Sequence, residues 1–443
     1  MSVFRARCPF FFSETRVTSC CENVSWPVRE LTTIDSSVAP SILPLTVREP
    51  VMIRTSVPVV SALTVFLLAA LVWAATVAPS KRRTAAMRQV RRFMAKNHST
   101  SVRSTMIDMK TMLLWLLPLA AFAQQPTVHF ENLKQLTQGG SNGESYWSPD
   151  SKRIIFQSTR DGRTCDQQYI MNADGSNQHM VSTGKGVTTC GYFTSDNKHI
   201  IYASTHEGGE ACPMPPDRSK GYVWAVYPTF DIYLATDAGK IVKKLTDTTG
   251  YDAEGTVNFK TKKIIYTSLA SGDLELWTMS EDGSGKKRIT NAEGYDGGAV
   301  FSRDGTKMVW RAYRPDTPDK VAKYRDLLKE NLTTPMKMEV HIANADGSSA
   351  QQITNFGCAS FAPTFTPDGK KILFASNKNK CDSSYFDLFL MNLDGSGLEQ
   401  VTDYGKFTSF PEFSPNGKYL IFASSYQSKG NYEFNIFRAD WKP

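Results

Sequence analysis

One short pattern recurs along the last three quarters of the chain. Trp147-Ser-Pro-Asp-Ser-Lys-Arg-Ile-Ile-Phe156 returns as Phe193-Thr-Ser-Asp-Asn-Lys-His-Ile-Ile-Tyr202, Phe301-Ser-Arg-Asp-Gly-Thr-Lys-Met-Val-Trp310, Phe365-Thr-Pro-Asp-Gly-Lys-Lys-Ile-Leu-Phe374 and Phe413-Ser-Pro-Asn-Gly-Lys-Tyr-Leu-Ile-Phe422. A shortened copy begins at Phe259. Each copy is an aromatic strand end, a turn of Pro, Asp, Asn or Gly, and an apolar β-branched strand, which is hairpin chemistry. A second hairpin follows in most copies, turning at Asp174, Asp282, Asp346 or Asp394 within Asp-Gly-Ser. The strands after those turns end in Val181-Ser, Leu245-Thr, Ile289-Thr, Ile353-Thr and Val401-Thr.

Two hairpins per unit make four antiparallel strands, and such units repeated radially make a β-propeller. Six units predict an all-β, six-bladed propeller over residues 124–443. The last unit, ending Ile436-Phe-Arg-Ala-Asp-Trp441, lacks its fourth strand, and Leu133-Lys-Gln-Leu-Thr137 lies unused before the first unit. Residues Phe130 to Thr137 are therefore expected to complete the last blade and close the ring, leaving no edge strand. At this point the chain resembles the TolB-type WD-repeat-like propellers, whose blades carry aromatic-Ser-Pro-Asp-Gly-Lys, then Asp-Gly-Ser and a Leu-Thr end. The resemblance covers residues 128–443 and implies a Tol-Pal-like periplasmic role. The α/β domain that precedes the propeller of a complete TolB has no counterpart ahead of these repeats, which puts that specific role in doubt.

Charge and cysteine divide at the same place. Of 51 Lys and Arg and 43 Asp and Glu, 15 and 6 fall in residues 1–124, leaving 36 and 37 in the propeller segment. The formal +8 is thus a property of the leader, and no nucleic-acid partner is expected. Residues 109–123 have a basic start, an apolar stretch from Met112 to Phe122 and an Ala121-Phe122-Ala123 end, the pattern of a signal peptide. The apolar run 57–78 is long enough to span a bilayer and is followed by Lys81, Arg82 and Arg83. Residues 1–108 are read either as an artefact of start-site choice, translation beginning at Met109, or as a real segment with a membrane span. Both readings export the propeller, as a periplasmic or secreted monomer, membrane-anchored if residues 57–78 are retained.

Successive repeat aromatics are 46, 66, 42, 64 and 48 residues apart, so the second and fourth units carry extra segments. Both fall between second and third strands, on the face opposite the tight turns, and loops of this kind on a rigid scaffold carry function. The first insert, 206–230, offers His206, Glu207, Arg218, Tyr222 and Trp224 for contact. His206, Glu207 and Glu210 show no metal-ligand spacing. The second, 312–337, contains Tyr313 and Arg314, then a helix capped by Thr317 with Pro318 first, and a stripe of Val321, Tyr324, Leu328 and Leu332. This stripe is read as packing on the propeller face, with a partner-binding helix as the alternative. The expected partner is an envelope protein or a polysaccharide.

The five downstream cysteines also map to the insert-bearing face. In an oxidising compartment Cys358 is expected to pair with Cys381, and Cys190 with Cys212, with Cys165 to Cys190 as the competing pair and one thiol left over. Glu144, Glu254 and Asp296 precede first strands and could line the channel mouth, where converging carboxylates could hold a structural cation; no other cofactor is implied. Gly139-Gly-Ser-Asn-Gly143 matches the nucleophile elbow formally, but no alternating β/α pattern follows to build a hydrolase sheet. A non-enzymatic binding propeller is the leading expectation, and a glycan or uronate lyase or hydrolase acting at the channel mouth is the alternative.

Overall fold

The computed structural model describes residues 129–430 and 433–443. The leader, the apolar run 57–78, the signal peptide 109–123 and Cys8, Cys20 and Cys21 lie outside the described residues. Six four-stranded antiparallel sheets form the blades of a propeller, joined by a two-stranded sheet and one α-helix among the described residues. Among those residues no helix is long and apolar enough to cross a membrane.

The ring closes as the sequence predicts. Phe130–Gln135 pairs antiparallel with the last strand, Asn435–Trp441, with Phe130 opposite Trp441 and Gln135 opposite Phe437. Beyond the strand, the amide of Leu136 donates to the carbonyl of Ile436 at 2.7 Å. The seam is sealed by a cluster from the first and last blades, in which Trp147, Ile154, Phe156, Met171, Ile421 and Ile436 are at most 1% exposed. Each such side chain contributes about 1.5–3 kcal/mol by leaving water.

Each recurring sequence element has a specific hydrogen-bonding task. In the first turn, the Ser or Thr hydroxyl donates to the Asp or Asn two residues on: Ser148 to Asp150, Thr194 to Asp196, Ser302 to Asp304, Thr366 to Asp368 and Ser414 to Asn416, all at 2.6–2.7 Å. In the second, Ser176, Ser284, Ser348 and Ser396 each donate to the preceding Asp at 2.6 Å. Those four aspartates are consumed by their own turns.

The closing Thr or Ser of each repeat ties the fourth strand to the start of the third. Its hydroxyl accepts from the second residue of strand three in every blade: Gln168 on Ser182, Ile232 on Thr246, Leu276 on Thr290, Val340 on Thr354, Leu388 on Thr402 and Ile436 on Thr137, at 2.8–3.0 Å. It also donates to the side chain that opens strand three, as Thr354 does to Glu339 at 2.6 Å and Thr137 to Asn435 at 3.1 Å. The repeat-end Thr therefore satisfies buried donors and acceptors where the fourth strand has dwindled to two residues in most blades.

The third blade departs from the sequence register. Val257 pairs with Ile264 where Trp147 pairs with Ile154, so Val257 and not Phe259 is the structural equivalent of the repeat aromatic. Asn258 takes over the turn by accepting from the amides of Lys260 and Thr261. Phe259 is thereby displaced into packing against Tyr192, ring centroids 5.7 Å apart.

Candidate functional site: the channel and its insert-bearing mouth

The innermost strand of every blade breaks register at the same point. The shifts fall between Gly143 and Tyr146, Thr189 and Tyr192, Ala253 and Thr256, Gly297 and Val300, Phe361 and Thr364, and Ser409 and Glu412. One residue in each bulge is left-handed: Glu144, Cys190, Glu254, Gly298, Ala362 and Phe410, with φ from 43° to 60°. Only one of the six is glycine. Left-handed non-glycine residues cost energy and persist where the surrounding structure imposes them. Here the six bulges carry their residues into the central channel, all six, with Arg311 and Glu412, lining one cavity together with Tyr146 and Thr256.

Two of the predicted channel carboxylates are in that ring, within the first strands. Glu254 is a hub. Its Oε1 accepts from Tyr295 at 2.6 Å and Arg311 at 2.6 Å, and its Oε2 from Thr267 at 2.8 Å and the amide of Gly298 at 2.7 Å. All these bonds make it a charge-assisted tie between blades three and four. Glu144 is in a different state. It receives the Cys190 thiol at 2.8 Å and Thr189 at 3.3 Å, and desolvation pushes its carboxyl up to about 7. Burial likewise pushes the Cys190 thiol up and holds Glu412, bonded by Thr364 at 3.1 Å, at about 7. The third predicted carboxylate, Asp296, lies away from the lumen, fully buried between Trp310 Nε1 at 2.6 Å and Arg314 at 2.5 Å. Among the described residues no three His, Cys, Asp or Glu side chains gather as a metal site would require.

Arg311 and Glu412 were not singled out by the sequence reading. The signal for Arg311 is the Gly297-Gly298 pair. A Cβ at 298 would stand 1.8 Å from an Arg311 guanidinium nitrogen, and one at 297 would stand 2.4 Å from Glu254. Blade four thus presents no side chain of its own at the bulge and lets Arg311, from its second strand, occupy that place in the ring.

The turn-side end of the lumen is crowded. Tyr146 packs on Tyr192 with centroids 4.9 Å apart, Tyr192 packs on Phe259, and Arg303 of blade four reaches the carbonyl of Ser414 in blade six at 3.2 Å. The opposite end lies under the two inserts. These meet directly: Trp224–Ala225 pairs antiparallel with Leu332–Thr333, the amide of Val226 donates to Asn331 at 2.8 Å, and Lys220 forms an ion pair with Glu330. Inserts from blades two and four therefore clasp each other across blade three.

The other predicted contact residues fall around this clasp. Trp224 is 8% exposed and covers Arg311, whose guanidinium carbon lies 5.4 Å from the Trp224 ring centroid and 5.4 Å from that of Tyr295. Tyr222 accepts from Trp224 Nε1 at 3.1 Å, and both line an aromatic cleft with Pro335, Phe361, Phe386 and Phe407. His206 packs on Tyr233 in blade two with Nδ1 2.9 Å from Ser204, burial lowering its pKa, while Glu207 pairs with Lys244 at 2.8 Å; neither reaches the channel cavity. Arg218 opens a short 3-10 turn, Arg218–Lys220. Helix α1, Pro318–Lys329, starts as expected, with Thr317 accepting from the Lys320 amide. It packs down on blade three: Tyr324, 1% exposed, donates to Asp273 at 2.5 Å and lies tilted against Tyr313, and Arg325 pairs with Glu293 at 2.6 Å.

The cysteine pairing corrects the expectation in part. Cys358–Cys381 forms as expected, but the second bridge is Cys165–Cys212, with Cα atoms 5.0 and 5.9 Å apart. Cys190 is the leftover thiol because its bulge carries it into the channel, away from the loops where Cys212 lies. Two disulfides fit an oxidising compartment.

No protein-family model matches the chain, and no curated protein matches it in sequence. Solved structures do. The putative TolB from Agrobacterium tumefaciens aligns at TM-score 0.48 with 18% identity, over 70% of this chain and 93% of that one. TolB from Acinetobacter baumannii aligns at 0.44 with 16% identity, over 68% of this chain and 64% of that one. An oligogalacturonate lyase in complex with manganese aligns at 0.44 with 12% identity, over 72% and 95%. At such identities the likeness concerns the fold, and no residue role passes from those proteins to this chain.

Proposed function

We propose that the protein is an exported, non-enzymatic binding propeller that contacts an envelope protein, or a surface polymer, through the face carrying inserts 206–230 and 312–337. The observation that carries this reading is the clasp itself. Two inserts from non-adjacent blades pair with each other to build one roofed surface at the less crowded end of the channel, with an aromatic cleft beside it. Exposed apolar side chains support it. Met214 and Met336 lie in the inserts and Tyr385 in the corresponding loop of blade five, at 84%, 48% and 42% exposure. Large exposed side chains on one face mark a contact surface, and aromatic anchors with Met are typical of such surfaces.

The test is affinity capture from an envelope fraction with the full chain as bait. Replacing Tyr385 and Met336 by Ser should abolish recovery of the partner, whereas Val242→Ser, on an outer strand, should not. Equal recovery with both sets would overturn the proposal.

One observation favours the alternative of a lyase or hydrolase acting on a glycan at the channel mouth. Glu144 and Glu412, both held near 7, line one cavity, and a carboxyl poised near neutrality can serve as acid or base. Polysaccharide cleavage lost on Glu144→Gln or Glu412→Gln, with no partner captured, would reverse the order of the two readings.

A further inference from the structure

The first insert is fastened to three different blades. Near its start, Cys212 is bonded to Cys165 in blade one, and Glu210 is held there too, its carbonyl accepting from the Gly186 amide at 2.9 Å. It emerges from blade two. At its far end it is joined to the blade-four insert by two residue pairs, one flanking backbone bond and the Lys220–Glu330 ion pair, whose side chains are 33% and 51% exposed. The segment is thus a strap with one covalent anchor and one non-covalent fastening, whose ion pair is solvent-accessible while Trp224, Val226 and Leu332 are buried. Beneath it lies a cavity roofed by Trp224, Ala225, Val226 and Thr333 and floored by Thr189 and Glu254. The Thr333 hydroxyl, 1% exposed, has no hydrogen-bond partner.

We propose that residues 206–230 are a gate over the channel: the Cys165–Cys212 end is the fixed anchor, the pair Trp224–Ala225 with Leu332–Thr333 is the fastening that opens, and opening lifts Trp224 off Arg311. The end that opens follows from the kind of bond, because the Cys165–Cys212 anchor is covalent and the clasp with the blade-four insert is not. Trp224 lines both the aromatic cleft and the cavity under the strap, so whatever displaces it from the cleft also uncovers the lumen. Only that trigger, a partner seated in the cleft, rests on the binding function proposed above.

Cys190 reports on the gate because it is the free thiol of the lumen, and its labelling needs no partner. The measurement is the rate of N-ethylmaleimide addition to the Cys190 peptide of the full chain, followed by mass. Lys220→Ala, which removes only the exposed ion pair, should speed labelling several-fold with an unchanged melting temperature, and Trp224→Ala by about tenfold or more, as expected when a local opening equilibrium shifts by more than one decade. A cross-link through Ala225→Cys with Leu332→Cys, whose Cα positions are partners across the clasp, should slow it by a similar factor once oxidised. Wild-type labelling rates in the cross-linked chain would overturn the gate. A gate that responds to all three variants while no partner is captured would leave the gate standing and remove the binding reading.

Discussion

The ring of Trp224 lies over the guanidinium of Arg311, 5.4 Å from centroid to carbon, and through that contact the insert of blade two rests on the ion pair that joins blades three and four. Arg311 is 6% exposed and its Nη2 donates to both Glu254 and Tyr295 at 2.6 Å. Breaking a buried pair by removing one partner is costly because the other charge is left unpaired. Glu254→Gln should therefore destabilise by about 3–5 kcal/mol, and it should loosen insert one, read as faster amide exchange at Trp224 and Ala225. Unchanged exchange there would show that the insert is held independently of the channel.

Gly298→Ala probes the same device from the backbone side. The residue sits at φ +57°, and an added Cβ would collide with Arg311. A loss of about 2–4 kcal/mol is expected, since strain and displacement of a buried ion pair combine. Gly143→Ala, where a Cβ meets nothing within 4 Å, is the matched control. Equal stability of the two variants in denaturant would refute the role given to the glycine.

The channel carboxyls set a pH dependence with a definite sign. Glu144 and Glu412 are raised to about 7 in the fold, while unfolded glutamates titrate near about 4.3. The fold binds their protons more tightly, so their stabilising contribution is full below the unfolded value and is lost as pH rises through about 7. The melting temperature should fall between about pH 5 and 8. The double variant Glu144→Gln with Glu412→Gln should show a flatter profile over that range, and an unaltered slope would sink the assignment.

Ring closure predicts cooperativity. Deleting residues 125–138 removes the strand opposite Asn435–Trp441 and the Thr137 hydroxyl bonded to Asn435 and Ile436. The whole propeller should then lose its single melting transition, not just its sixth blade. Thr354→Val, the same hydroxyl in blade four, should cost about 1–3 kcal/mol by leaving the Val340 amide and Glu339 Oε2 without that partner, while Glu339 Oε1 keeps the Gly357 amide.

The blades, their number and their closure were legible because turn chemistry and strand-end aromatics recur with fixed local spacing. Blade three misled at one point: Phe259 mimics the repeat aromatic, but Asn258 supplies a turn that places Val257 there. Asp296 looked like its neighbours Glu144 and Glu254, yet one bulge separates side chains that face the lumen from those that turn back onto their own blade. The equivalent bulge of blade two removed Cys190 from the reach of Cys212. Arg311 was invisible because its importance comes from a missing side chain on the neighbouring strand, at Gly298. Each miss is a matter of direction, which a residue's place in the sequence does not specify until the bulge is known.

The six left-handed positions have an evolutionary meaning apart from their strain. Backbone geometry at 144, 190, 254, 298, 362 and 410 is the same whether the occupant is Glu, Cys, Gly, Ala or Phe. Scaffold and lumen are therefore separable: a handful of substitutions at these sites could rewrite the chemistry of the pore while the blades around it kept their pairing.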